Sequence, residues 1–227
     1  MGSVVAGEKL ALYGTMTEET TPNVSPMYSI GGVCISGNEI MEIKKDNAAD
    51  VKLRLIDTAW LLNDLTSDLK TPVDLIFQLR PDMDDNQKNF MSISRLCLTS
   101  IIVNLCRLKE IIDHYGAEIR SFPEGLRNSL YSIKSEVEKK DMYAFRSKYV
   151  AHAFSKEKGD QQKPLTFDQN VRALMAIIDF GLNPVTENVF KFCKWIHVKD
   201  DLQSVVYIVY GAVKHIETVV GGLGARR

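Results

Sequence analysis

The sequence lacks the marks of several common protein classes. None of its four cysteines (Cys34, Cys97, Cys106 and Cys193) forms a C-x-x-C pair or has a histidine at ligand spacing, so the pattern predicts neither a zinc site nor a dense disulfide framework. The formal net charge is only −1, from 28 basic and 29 acidic residues, which gives no global field to attract nucleic acid. Any contact with RNA would therefore depend on a local basic patch.

Targeting and cofactor signals are also missing. The first residues, MGSVVAGEKLALYG, have no basic region followed by a long apolar run, so no secretory signal peptide is predicted. The most apolar late segment, VVYIVYGAV at 205–213, is too short to span a bilayer. The GGLG at 221–224 is followed by no Lys-Ser/Thr and is no phosphate loop. We therefore predict a cytoplasmic protein with no membrane partner, no bound metal and no cofactor.

What is present is typical of a globular protein, with 45% hydrophobic and 25% charged residues. Composition changes near residue 45. Before it, TMTEETTPNVSP reads as an irregular arm, and two short β-prone runs around Gly31-Gly32 allow a small β-hairpin. The predicted organisation is an irregular N-terminal arm at 1–45, a helical domain at 46–220 and a frayed C-terminus at 221–227.

From Asp46 onward, apolar residues recur at three- and four-residue steps, which predicts amphipathic helices. Local signals then give the bounds of five helices. The first ends at Thr71-Pro72, the second covers about 86–115 with Gly116 as its stop, and the third covers 124–139. The fourth begins near Asp141, and the fifth begins at the capping box Thr166–Gln169. Asn183-Pro184 starts another helix, and an apolar stripe over 202–220 gives the last. The predicted fold class is an all-α bundle of about six helices.

The stretch FRSKYVAHAF, which begins at Phe145, is the main candidate for chemistry. On a helix, Met142, Phe145, Tyr149 and His152 share one apolar stripe, and Arg146 lies at its margin. One interpretation is a packed core histidine beside a solvent-facing arginine. The other is a titratable histidine that lines a cleft between helices. The residues alone leave both open.

Spacing limits the second interpretation. Residues six apart on a helix are rotated by about 120° and separated by about 9 Å along the axis. Arg146 and His152 of one helix therefore do not converge on one atom. Two copies of the helix facing each other across a twofold axis would bring the four side chains together. Catalysis here would require a homodimer.

The run from Arg146 to His152, with five residues between them, resembles the R-x(4–6)-H signature of the HEPN superfamily. The surrounding FRSKYVAHAF looks like the corresponding runs of HEPN proteins from abortive-infection and toxin–antitoxin systems. The resemblance covers about residues 50–180 and implies a compact up-and-down helical bundle. HEPN nucleases usually carry Asn, Asp or His directly after the arginine, whereas this chain has Ser147.

The resemblance implies a metal-independent endoribonuclease that acts as a dimer, as a toxin or an antiviral defence component. In it, the RNA 2′-hydroxyl would attack the adjacent phosphate. His152 would move a proton, and Arg146 would hold the phosphate and stabilise its charge.

Substrate contacts are expected from residues beside this pair. Ser147 would add a hydrogen bond, and Lys148, Lys156 and Lys158 belong to a locally basic run that could engage phosphates. On charge alone, such a run is more typical of a solvated loop. The expected partners are RNA, a second copy of the chain and a cognate antitoxin protein. The alternative function is a non-catalytic helical interaction or regulatory protein.

Overall fold

The computed structural model describes the residues 28–30, 33–35, 37–80, 86–150, 154–155, 163–164, 166–182 and 185–224. The chain divides into two compact units, Met1–Asn47 and Ala48–Arg227. Within the first unit, strand β1 (Tyr28–Ile30) pairs antiparallel with β2 (Val33–Ile35), so that Tyr28 lies opposite Ile35. The small hairpin that the sequence allowed is confirmed.

Eight α-helices make up most of the described chain, which confirms the all-α class. They are α1 (Gly37–Leu79), α2 (Gln87–His114), α3 (Gly116–Arg120), α4 (Glu124–Lys139), α5 (Met142–Phe145), α6 (Phe167–Ile178), α7 (Val185–Ile196) and α8 (Val205–Val220). A π-helical turn, Arg146–Val150, follows α5 directly, and two-residue strands β3 (Phe154–Ser155) and β4 (Lys163–Pro164) pair antiparallel. The sequence predicted about six helices because α3 and α5 are too short to show a periodic apolar stripe.

Helix α1 differs from its prediction at both ends. It begins at Gly37 instead of Asp46, and it continues through Pro72 to Leu79 instead of ending at Thr71-Pro72. The apolar stripe explains the continuation, since Leu69, Val73 and Ile76 stay in phase across the proline and are fully buried. Burial of Val73 and Ile76, the two that follow the proline, contributes roughly 3–6 kcal/mol. That contribution offsets the cost of a proline inside a helix, which is about 3 kcal/mol.

Helix α2 is the central element, and it packs against α3, α4, α5, α6 and the π-helical turn. Its predicted stripe is confirmed, since Leu98, Ile101 and Leu105 have no exposed surface. By length and composition alone α2 is also apolar enough to cross a membrane. Ten of its eleven buried residues, however, belong to the hydrophobic core, as is typical of the core helix of a bundle.

The remaining predicted features concern helix starts and cysteines. At the start of α6 the capping box is complete, because Thr166 Oγ1 accepts from the Gln169 backbone N–H and Gln169 Oε1 accepts from the Thr166 N–H. Cys97, Cys106 and Cys193 are free and buried. These thiols pack as small apolar groups in the core.

Candidate functional site

The candidate motif begins on α5 and continues in the π-helical turn. Asp141 precedes α5 in the left-handed region, at φ 51° and ψ 36°, and its side chain makes no capping hydrogen bond. It therefore occupies the predicted N-cap position without acting as a side-chain cap. Two apolar anchors hold the segment: Phe145 is 3% exposed, and its ring lies 5.6 Å from that of Tyr149.

The π-helical turn changes the geometry that the sequence predicted. Arg146 to Val150 form i→i+5 hydrogen-bonded turns instead of a regular α-helix. Such turns are wider than an α-helical turn, although Phe145 and Tyr149, which are four residues apart on the predicted stripe, still pack against each other. Single π-turns of this kind occur frequently at functional sites.

Arg146 is anchored to α2. Its Nη1 donates to Glu110 Oε1 at 2.5 Å, and the Tyr143 hydroxyl donates to the same oxygen at 2.7 Å. The Tyr143 hydroxyl also lies 3.3 Å from the Cys106 carbonyl oxygen, and the Arg146 guanidinium lies 5.7 Å from the centre of the Tyr143 ring. The result is a three-residue cluster that holds the motif arginine against α2.

Electrostatics reinforces this cluster. The hydrogen bond from Tyr143 lowers the pKa of Glu110, and Arg146 adds to the effect. Burial and the bond to Glu110 raise the pKa of Tyr143, and the bond to Glu110 raises the pKa of Arg146. Glu110 is thus a carboxylate and Tyr143 a neutral donor over the whole physiological range.

The Arg146 guanidinium keeps access to solvent, since 36% of its side chain is exposed. An arginine carries five N–H donors in a planar fork, and Glu110 is bonded at Nη1. The geometry can therefore present a pre-oriented cation to a phosphate or carboxylate ligand.

Lys148 lies on another side of the same turn. It lines an open groove of about 520 Å³ between the α5/π-turn segment and α6, with Lys139 and Lys140 at the end of α4. Lys140 already has a hydrogen-bond partner within the groove, because its Nζ donates to the Ile177 carbonyl oxygen at 2.8 Å. The structure thus places Arg146 against α2 and Lys148 beside α6.

The other predicted site residues fall into two groups. Ser147 is exposed on the π-helical turn. His152, Lys156 and Lys158 lie outside the described residues. Among the residues that the structure describes, no group of three or more His, Cys, Asp or Glu could hold a metal ion.

Sequence reasoning missed Glu110 and Tyr143. A signal was present, because α2 carries no acidic residue from Gln87 to Lys109 and Glu110 is its first carboxylate.

The nearest buried thiol is no nucleophile, since burial raises the pKa of Cys106 to about 11.

Comparison with known proteins gives a family relation over part of the chain. Residues 75–183 match the family model of the HEPN-like integron domain. This stretch includes Arg146, Glu110 and the groove beside α6, and the match supports a HEPN-like relation for it.

One solved structure resembles the fold. It is the integron cassette protein Vpc_cass2 from the mobile metagenome of V. paracholerae, with a TM-score of 0.55 and 21% sequence identity over 72% of this chain and 95% of that one. At this identity the similarity shows the fold. No curated protein matches the chain.

Proposed function

We propose that this protein is a HEPN-like, metal-independent endoribonuclease that acts in the cytoplasm as a toxin or antiviral defence component. The observation that carries the proposal is Arg146. It lies in the stretch related to HEPN-like domains, on a π-helical turn, with its guanidinium oriented by Glu110 and partly open to solvent. A fixed cation of this kind suits the charge that develops on a phosphate during cleavage.

The proposed reaction needs no external cofactor. The RNA 2′-hydroxyl oxygen bonds to the adjacent phosphorus while the bond from phosphorus to the 5′-oxygen breaks, which leaves a 2′,3′-cyclic phosphate and a 5′-hydroxyl. His152 moves the proton that this exchange requires, and Arg146 binds the phosphate oxygens. Ser147, Lys148, Lys156 and Lys158 are assigned to substrate binding.

A homodimer is part of the proposal. Arg146 and His152 are six positions apart, and residues at that spacing on a regular helix do not converge on one atom. Two copies of the segment facing each other would pool two arginines and two histidines. A cognate antitoxin is the expected protein partner, since an active toxin must be restrained in its own cell.

Cleavage of labelled single-stranded RNA in the presence of EDTA is the direct test. The wild-type chain should cut, and His152→Ala and Arg146→Ala should each reduce the rate by about 100-fold or more. Arg107→Ala is the matched control, because Arg107 is also a surface arginine paired with a carboxylate, Asp68, and has 39% of its side chain exposed. Circular dichroism and light scattering should show unchanged helicity and dimer mass for all three variants.

Two results would overturn the proposal. One is a wild-type protein that leaves a broad RNA panel uncut at concentrations where it is dimeric. The other is cleavage that persists in both motif variants at the rate of Arg107→Ala, because the activity would then come from a contaminant or another site.

The second candidate is a non-catalytic interaction or regulatory protein. The ion pair between Arg146 and Glu110 favours it, because a paired arginine is already charge-compensated within its own chain. In that case wild-type protein binds a partner protein but cuts no RNA, and Arg146→Ala weakens partner binding without any nuclease readout.

A further inference from the structure

An exposed aromatic ring stands at the start of α6, next to an arginine of α2. Phe167 is 64% exposed, the largest exposure of an aromatic side chain in the described residues. The Arg95 guanidinium lies 5.0 Å from the centre of the Phe167 ring. One face of the ring thus meets a cation, and most of the remaining surface is open to solvent.

Arg95 has no ion-pair partner among the residues that the structure describes, unlike Arg54, Arg107 and Arg146, which each contact a carboxylate. Within the described part of the chain, the contact of its guanidinium is therefore the Phe167 ring and no carboxylate. Helix α2 carries no acidic residue from Gln87 to Lys109, so none of its own side chains in that range offers Arg95 a carboxylate. The nearest acidic residue on α6 is Asp168, which is exposed.

Unsatisfied polar atoms concentrate at the same place. Within the part of the chain that the structure describes, four buried side-chain atoms lack a hydrogen-bond partner. Two of them, Arg95 Nε and Asn170 Oδ1, belong to the seam where α2 packs against α6, and a third, Ser94 Oγ, is next to Arg95 in the sequence. A buried polar atom without a partner costs about 1–3 kcal/mol. A stable fold carries several such costs in one place most readily where a ligand or function requires those side chains.

The seam adjoins the candidate motif. Asn170 lies one helical turn after Phe167, and its Nδ2 is 3.4 Å from the Tyr149 carbonyl oxygen in the π-helical turn. Asn170, three residues after Phe167 on α6, therefore links the Phe167 side of α6 to the turn that begins with Arg146. A polymer that passes Arg146 and follows α2 toward its N-terminus meets the Phe167 ring next.

We propose that Phe167 and Arg95 form a nucleotide-binding subsite for single-stranded RNA, held in place against the motif by Asn170. Phe167 stacks on a base, and Arg95 contacts the adjoining phosphate. Stacking on an exposed aromatic ring is tolerant of base identity, and an arginine that pairs with no carboxylate of the described residues supplies the phosphate contact. The subsite rests on the proposed function for its ligand, but it makes a separate claim about binding.

Binding measured apart from cleavage tests the subsite. The probe is a fluorescein-labelled 12-nucleotide single-stranded RNA, titrated with Arg146→Ala protein, in which the proposed cutting is about 100-fold slower or more. In this background Phe167→Ala should weaken binding by about ten-fold, because one stacked base is lost. Phe167→Trp should restore binding to the level of the unsubstituted ring or better, since a larger aromatic still stacks.

Matched variants separate the subsite from general surface effects. Tyr210→Ala removes another exposed aromatic side chain, on α8, and Arg172→Ala removes an exposed arginine of α6. Both should leave the dissociation constant within about two-fold. Arg95→Ala should lower the slope of log K against log salt by about one, whereas Phe167→Ala should leave the slope unchanged.

The outcomes distinguish the two proposals. RNA binding that Phe167→Ala weakens no more than Tyr210→Ala overturns the subsite, and so does a Phe167→Trp variant that binds as poorly as Phe167→Ala. The subsite survives if the protein binds RNA through Phe167 but never cuts it, although the ribonuclease proposal then fails. A chain that binds no RNA overturns both.

Discussion

Glu110 accepts hydrogen bonds from both Arg146 and Tyr143 through one carboxylate oxygen, at 2.5 and 2.7 Å. The carboxylate is 48% exposed, and ion pairs at such positions contribute about 0–1 kcal/mol to stability. Its main physical effect is therefore on orientation. An arginine side chain loses about 2 kcal/mol of rotamer freedom when it is fixed, and this cluster meets part of that cost before a ligand arrives.

Glu110→Gln is expected to lower RNA cleavage by about ten-fold to a hundred-fold, because a misplaced catalytic cation stabilises the transition state poorly. RNA binding should change by less than about three-fold, since the charge of Arg146 remains. Single-turnover cleavage rates and binding isotherms of the same protein separate the two effects.

Asp68→Asn is the control for that substitution, because Asp68 pairs with Arg107 on the same helix as Glu110. It should leave the cleavage rate unchanged. A faster rate in Glu110→Gln would contradict the orienting role and would mean that Glu110 competes with the RNA phosphate for Arg146.

Lys148→Ala should weaken RNA binding and reduce its salt dependence, because Lys148 lines the groove beside α6 as one of three lysines. Loss of one phosphate contact lowers the slope of log K against log salt by about one. The cleavage rate of bound RNA should stay the same, since Arg146 lies on another side of the turn. Lys52→Ala, an exposed lysine of α1, is the control, and equal salt slopes for the two variants would remove Lys148 from the binding surface.

The sequence predicted those parts of the fold that depend on local patterns. The α4 boundaries and the Thr166 capping box follow from adjacent residues, and both are as predicted. Helix α3 was not predicted, because its five residues leave no periodic stripe. The predicted stop of the second helix at Gly116 is correct, since α2 ends at His114 with Tyr115 as its C-cap, and Gly116 then begins α3. Tertiary packing decided what local patterns did not, such as the continuation of α1 through Pro72 to Leu79.

The site was predictable to a smaller extent. The Arg146–Glu110 contact joins residues 36 positions apart, and no local pattern encodes such a pairing. The π-helical form of Arg146–Val150 also depends on how Phe145 and Tyr149 pack, which periodicity alone does not reveal. Phe167 and Arg95 were overlooked because a single exposed ring has no sequence signature.

Pro72→Ala tests why α1 continues beyond its predicted end. The substitution restores a backbone N–H that can donate to the Asp68 carbonyl oxygen, and it removes the clash of the ring with the preceding turn. We expect the melting temperature to rise by a few degrees, measured by circular dichroism. Pro123→Ala is the control, because Pro123 occupies the N-cap of α4, where no helical hydrogen bond is lost. A lower melting temperature for Pro72→Ala would mean that the proline shapes α1 in a way that packing requires.

Acid should weaken this fold partly through Glu118, whose side chain is only 5% exposed and which pairs with Arg54 at 2.5 Å. The hydrogen bond from Arg54 lowers the pKa of Glu118 below its ordinary value. A group whose pKa is lower in the folded state stabilises it above the unfolded pKa of about 4.3, and this contribution is lost as the pH falls through the folded pKa.

Glu118→Gln should therefore lower the melting temperature at pH 7 by about 5 °C and make it less sensitive to acid between pH 5 and pH 3. Glutamine can still accept a hydrogen bond from Arg54, so the difference reports the charge. Asp57→Asn, an exposed carboxylate on the same helix as Arg54, should keep the wild-type pH dependence. Thermal unfolding followed by circular dichroism at each pH provides the measurement. Parallel stability curves for wild type and Glu118→Gln would show that the acid sensitivity has another source, such as Asp113, where hydrogen bonds from Lys109 and Lys134 lower the carboxyl pKa against the opposing effect of burial.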